Sequence, residues 1–229
     1  MLATLINAAA IVCCGIIGNV LRKGFPEALG KLIVDILALS VLVIGARMAL
    51  KGENDIIVVL SLVIGAGIGY LLKLDKHLES FGVRVKKLAH VNDNMFVEGF
   101  VSASLIFCVG AMAIVGSLEA GLNHNGSILL TKSVLDGTMA IVLASSSGIG
   151  VAFSALSVFI YQGAITLLAG VLEPVLTDTV VGYMTAVGGV LIMAIGVSMS
   201  GRWNINTANL LPALLIAAVM GYLMPFLGM

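Results

Sequence analysis

Apolar residues in this chain come in long runs separated by short polar breaks, without the alternation expected of helices with one wet face. A hydrocarbon core of about 30 Å needs about 20 apolar residues of helix to cross it. Eight segments meet that measure, at approximately 3–21, 28–50, 55–73, 96–118, 128–145, 149–172, 177–199 and 207–228. The fifth is short and polar at both ends; were it re-entrant, seven would cross. Glycines and β-branched residues inside the runs do not argue for strands, because a chain in lipid satisfies its backbone hydrogen bonds internally. The pattern predicts an all-α integral membrane protein.

Composition agrees. Of 229 residues, 60% are hydrophobic and 10% charged, and the mean hydropathy is +1.15. That leaves too few polar residues for a water-facing surface. Formal net charge is zero, with no acidic or basic tail to suggest nucleic acid. Cys13, Cys14 and Cys108 lie in apolar runs and form no CxxC pair, so neither a metal site nor a disulfide framework is indicated. MLATLINAAA has no basic leading region and reads as the first span, not a cleaved signal.

Basic residues set the orientation. Arg22 and Lys23 mark the first connection, Lys73, Lys76, Arg84, Lys86 and Lys87 the third, and Arg202 the seventh. The even connections offer mainly Arg47 and Lys51. The positive-inside bias makes the odd connections cytoplasmic and puts both termini outside, if all eight segments cross. In the third connection Leu74, Leu78, Phe81, Val85 and Leu88 recur at helical spacing, opposite the charges. This basic amphipathic helix, within 74–95, is either an interfacial linker or a docking surface for a partner. His77 and His90 belong to its surface, and His124 to a loop.

The chain also resembles itself. AAAIVCCG (8–15) returns as ASLIFCVG (103–110), KLIVD (31–35) as KSVLD (132–136), and LSLVIGAGIGYLL (60–72) as LSVFIYQGAITLL (156–168). Three matches in the same order, at nearly constant separation, indicate that residues 1–73 are duplicated as 96–172. Three crossings per copy would invert the second, the arrangement of many secondary transporters. Residues 173–229 then form a terminal two-helix hairpin, either accessory or a partial third copy.

Against this apolar background a few residues could carry chemistry. Lys31 and Asp35 open the second span, and Lys132 and Asp136 open the fifth, toward opposite faces. Side chains four apart on a helix meet, so each pair can neutralise itself. The pairs either snorkel to their interfaces or act as gate charges. Ser145, Ser146 and Ser147, in ASSSGIG, are either part of a tight turn or ligands freed by a broken helix. Glu98, in VEGFVSAS, is a proton or cation ligand or a complement to the helix dipole. Tyr161 and Gln162 lie mid-span, where Gln162 has to bond across helices or line a polar pathway. The glycines, including Gly15, Gly18, Gly65, Gly67, Gly69, Gly188 and Gly189, permit close helix packing.

No HExxH, GxSxG or P-loop motif is present, so no catalytic residue, cofactor or metal site is expected. The runs VGAMAIVGSLEAGLNHNG, LLTKSVLDGTMAIVLASSSGIGVAFSA and VFIYQGAITLLAG resemble bacterial domain-of-unknown-function family 554, the YqgA-like membrane proteins. The resemblance implies a multi-pass protein of the bacterial cytoplasmic membrane and names no substrate. The repeat points to a secondary transporter or ion-conducting carrier for a small solute. The alternative is a scaffold or sensor that docks partners through the basic helix. The partners expected are the bilayer, an unknown small solute or ion and, in a homo-oligomer, a second copy.

Overall fold

The computed structural model describes residues 1–22, 27–52, 54–91, 93–108, 111–201, 203 and 205–227. The apolar runs and the basic connection fold as α-helices: α1 (Leu2–Arg22), α2 (Glu27–Ala49), α3 (Asp55–Leu72), α4 (Leu74–Leu88), α5 (Phe96–Cys108), α6 (Ala111–Leu122), α7 (Ser127–Ser147), α8 (Gly150–Leu167), α9 (Ala169–Leu172), α10 (Asp178–Met199) and α11 (Pro212–Leu227). No strand occurs among the described residues. Five helices (α1, α3, α7, α8 and α10) are long and apolar enough to cross a membrane, and a sixth span results if α5 and α6 count as one. The segments Ala38–Ala49 and Thr207–Leu223 are apolar but shorter.

Local chemistry sets several helix ends. The Asn54 side chain accepts from the Ile56 N–H at 3.0 Å and starts α3. Lys73, in the left-handed region at φ 51°, stops it. The Thr177 hydroxyl caps α10 through the Val180 N–H at 3.4 Å. Gly148, at φ 78° and ψ −165°, lets α7 turn within two residues into α8. Only glycine adopts that conformation readily.

The chain forms two compact units. The first gathers Met1–Leu37, Glu79–Cys108 and Met112–Gly170. The one buried face of α1, including Ala3, Thr4, Asn7, Ile11, Gly15 and Gly18, holds it together. α7 runs parallel to α1: Gly126 and Leu129 lie at Ala3, Gly137 at Cys14, and Ile141 and Ala144 at Gly18. A β-carbon on Gly18 would collide with the Ile141 carbonyl oxygen. α8 runs back, with Ala152 against Gly15 and Gln162 beside Asn7. α5 lies against α8, Ser104 Oγ donating to Ser157 Oγ at 3.0 Å. Phe81 of α4 packs its ring 6.0 Å from Phe100, in a cluster with Val85 and Phe96.

The second unit gathers chiefly Ala38–Leu78 and Val171–Met229. Tyr183, Ala186, Val187 and Leu191 of α10 form its core with Ile57 and Val58 of α3 and Ala213 and Ala217 of α11. α3 and α11 are antiparallel, Gly65 lying against Ala213 and Gly69 against the Asn209 carbonyl. A 3-10 turn, Thr207–Leu210, precedes α11. It is tied to the start of α4, where the Asp75 N–H donates to Asn209 Oδ1 at 3.1 Å. Asn206 Nδ2 donates to Asp75 Oδ2 at 3.0 Å.

Outward-facing side chains on these helices are apolar. Leu2, Ile56, Val63, Val134 and Leu167 are between 65% and 72% exposed, where a helix in water would carry charge. The segment expected as a single span at 96–118 is instead two helices, Phe96–Cys108 and Met112–Leu122, meeting at 60°. The fifth segment, short by its apolar content, is a 21-residue helix.

Candidate functional site

The polar side chains that could matter converge in the first unit. Lys132 and Asp136 stand four apart on α7, and the Lys132 ammonium donates to both Asp136 carboxylate oxygens at 2.6 Å. Both residues are 7% exposed. Burial of each charge is tolerable because its counter-charge is one turn away on the same helix. From α1, Asn7 Nδ2 donates to Asp136 Oδ2 at 3.0 Å and to Gln162 Oε1 of α8 at 3.3 Å. Asn7 and Gln162 are fully buried. Three helices thus contribute to one chain of hydrogen bonds, Lys132 to Asp136 to Asn7 to Gln162. The Cys108 thiol, at the end of α5, lies within electrostatic reach of Lys132 and Asp136, and Tyr161 within reach of Cys108.

Of the residues expected from sequence, the structure brings together Lys132, Asp136 and Gln162, with partly buried Tyr161 nearby. Others lie elsewhere. Lys31 and Asp35 are exposed, and the described ion pairs are Lys132–Asp136 and Arg22–Asp93. The two Lys-x-x-x-Asp sequences therefore have different surroundings. Glu98 is exposed in the first turn of α5. Ser145 and Ser146 return their hydroxyls to the Val142 and Leu143 carbonyls at 2.7 and 2.9 Å, and Ser146 pairs with Ser147 at 3.3 Å. They finish α7 more than two turns beyond Asp136.

Sequence reading missed Asn7, the residue that joins the pair to Gln162. A faint signal was present: Thr4 and Asn7 are the two polar positions of LATLINAAAIV, three residues apart and so on one helix face. The far end of the unit has its own polar contact. Arg22 Nη1 donates to Asp93 Oδ2 at 3.1 Å, beside the Gly148 turn.

Comparison with known proteins gives a family. The family model described as "Protein of unknown function (DUF554)" matches residues 2–222. The "Uncharacterized membrane protein YdfK" of Bacillus subtilis (strain 168) is 33% identical over 100% of this chain and 99% of its own length. The "Uncharacterized protein YqgA" of Escherichia coli (strain K12) is 31% identical over 93% of this chain and 92% of its own. No solved structure matches the chain. With the polar layer set among apolar helices, and with matches that run almost end to end, this chain belongs to the DUF554 family of membrane proteins.

Proposed function

We propose that this protein is a secondary transporter or ion-conducting carrier of the bacterial cytoplasmic membrane, with its solute pathway passing the Lys132–Asp136–Asn7–Gln162 layer. The observation that carries the reading is a charged pair within apolar helices, bonded to two fully buried amides from two other helices. Ionisable residues within membrane spans are rare, and they commonly mark ion and substrate pathways. In this reading eight segments cross, in an inverted repeat of three spans plus a terminal hairpin, with both termini outside. Support comes from the ends of the first unit. Arg22, Asp93 and Gly148, from the first, third and fifth connections, meet at one end. Ala3 and Gly126 lie at the other.

The scaffold alternative has less behind it, because Phe81 and Val85 of the basic helix already pack on Phe100 and Phe96. Flux decides. In proteoliposomes carrying dyes for protons and alkali cations, the wild type moves ions down imposed gradients, and Asp136→Asn lowers that flux at least tenfold while remaining inserted. Equal flux in the two proteins removes Asp136 from the pathway. Flux no greater than in empty liposomes favours the scaffold.

A further inference from the structure

Five buried polar atoms of the first unit find no hydrogen-bond partner among the described residues: Thr4 Oγ1, Asn7 Oδ1, Ser117 Oγ, Gln162 Nε2 and Thr166 Oγ1. This is not how the chain usually treats hydroxyls. Ser104, Ser133, Thr138, Ser145 and Ser154 each return a hydrogen bond to their own helix backbone, between 2.7 and 2.8 Å. Leaving a buried polar atom unsatisfied is unfavourable, and each such atom needs an explanation, a bound ion among them.

Helix geometry puts these residues within about one helical turn of the Asn7–Gln162 bond, and toward the same end of the unit. Thr4 is one turn from Asn7 on the buried face of α1. Thr166 is one turn from Gln162 on antiparallel α8, so it lies to the same side of the Asn7–Gln162 bond. α6 reaches this level: a β-carbon on Gly121 would meet the Thr166 carbonyl, and one on Gly116 would meet Leu129, with Ser117 between them in sequence. Lys132 also lies one turn from Asp136 in that direction, since α7 runs parallel to α1.

We infer that this layer binds a dehydrated alkali-metal cation of sodium's class, held by Asp136 and the four unpartnered oxygens of Thr4, Asn7, Ser117 and Thr166, and that Lys132 is a tethered competitor for the carboxylate. The inference rests on the carrier reading and names the ion that reading leaves open. Hydroxyl, amide and carboxylate oxygens suit a hard cation. One carboxylate is too little charge for a divalent ion, and no group of three His, Cys, Asp or Glu residues able to hold a metal occurs among the described residues. A proton would occupy Asp136 alone and leave the hydroxyls without a role. With Lys132 bound to Asp136 the layer is neutral. A metal cation beside both would set two positive charges against one carboxylate, so the lysine has to leave as the cation enters.

The test is binding to the full-length protein in detergent. Thermal unfolding is followed while sodium chloride replaces choline chloride at constant ionic strength. Sodium is expected to raise the wild-type midpoint. Lys132→Gln should lower the apparent Kd at least tenfold, and Thr4→Val, close to isosteric, should raise it at least tenfold. Asp136→Asn should abolish the response; because it strands Lys132, the Lys132→Gln/Asp136→Asn double variant repeats the measurement without a buried unpaired charge. No sodium-specific shift in either the wild type or Lys132→Gln overturns the site, as does wild-type affinity in Thr4→Val. Sodium binding without flux would keep the site and sink the carrier reading. Asp136-dependent flux of another solute without sodium binding would do the reverse.

Discussion

Asn7 Nδ2 lies 3.0 Å from Asp136 Oδ2, joining two helices whose contacting residues are 129 positions apart. The bond is charge-assisted, buried, and shared with Gln162 through the same amide. It makes the start of the chain part of the environment of the fifth apolar segment.

Replacing Asn7 by leucine removes that donor and keeps the volume apolar. A hydrogen bond to a charged group contributes about 1.5–3 kcal/mol. Asn7→Leu should therefore lower stability by about that much in reversible denaturation from detergent micelles, and reduce flux as well. Unchanged stability would mean that Asn7 is a bystander.

Lys132 and Asp136 should behave as a unit. Lys132→Met leaves a buried carboxylate without its partner and should cost about 3–5 kcal/mol, whereas the Lys132→Met/Asp136→Leu double variant recovers most of the loss. The coupling in that double-mutant cycle is the quantity to measure. Additive effects would contradict the 2.6 Å pairing.

Close helix approach predicts which glycines matter. A side chain at Gly18 meets the Ile141 backbone, while nothing lies within 4 Å of a β-carbon at Gly67. Gly18→Leu should destabilise by about 1–3 kcal/mol or more through overpacking, and Gly67→Ala should be near neutral. Gly148→Ala should cost about 1–3 kcal/mol for its backbone conformation alone. The same unfolding assay ranks all three, and a Gly67→Ala loss as large as that of Gly18→Leu would contradict the packing.

Topology can be read with single cysteines at positions 124 and 146, each in a background lacking Cys13, Cys14 and Cys108. Position 124 precedes α7 and position 146 lies in its last turn, at the opposite end. Labelling of intact cells with an impermeant reagent should reach 124 and spare 146. Equal labelling of both would place the two ends of α7 on one face and dissolve the inverted repeat.

Much of this was legible beforehand, for identifiable reasons. Helix existence follows from apolar run length, and the reach of Lys132 to Asp136 from the four-residue spacing. Gln162 stood out because an amide deep in a span needs a partner. Burial was not legible. Lys31 and Asp35 have the same spacing as Lys132 and Asp136 yet lie exposed, because tertiary neighbours, not local sequence, decide which helix face is covered. Asn7 escaped notice for the same reason: its importance comes from α7 and α8, more than 100 residues away. The division of 96–118 into two helices that meet at 60° carried no proline to announce it.

The four-residue spacing on α7 also bears on how the protein is made. Asn7 is synthesised before Asp136 and Gln162 after it, so when α7 enters the bilayer the Gln162 amide of α8 does not yet exist. A lone lysine or aspartate at that depth would resist insertion by about 2.5–3.5 kcal/mol. Carrying its counter-charge on the same helix, α7 can partition into lipid as a nearly neutral segment. The later helix then has only to find a dipole already in place.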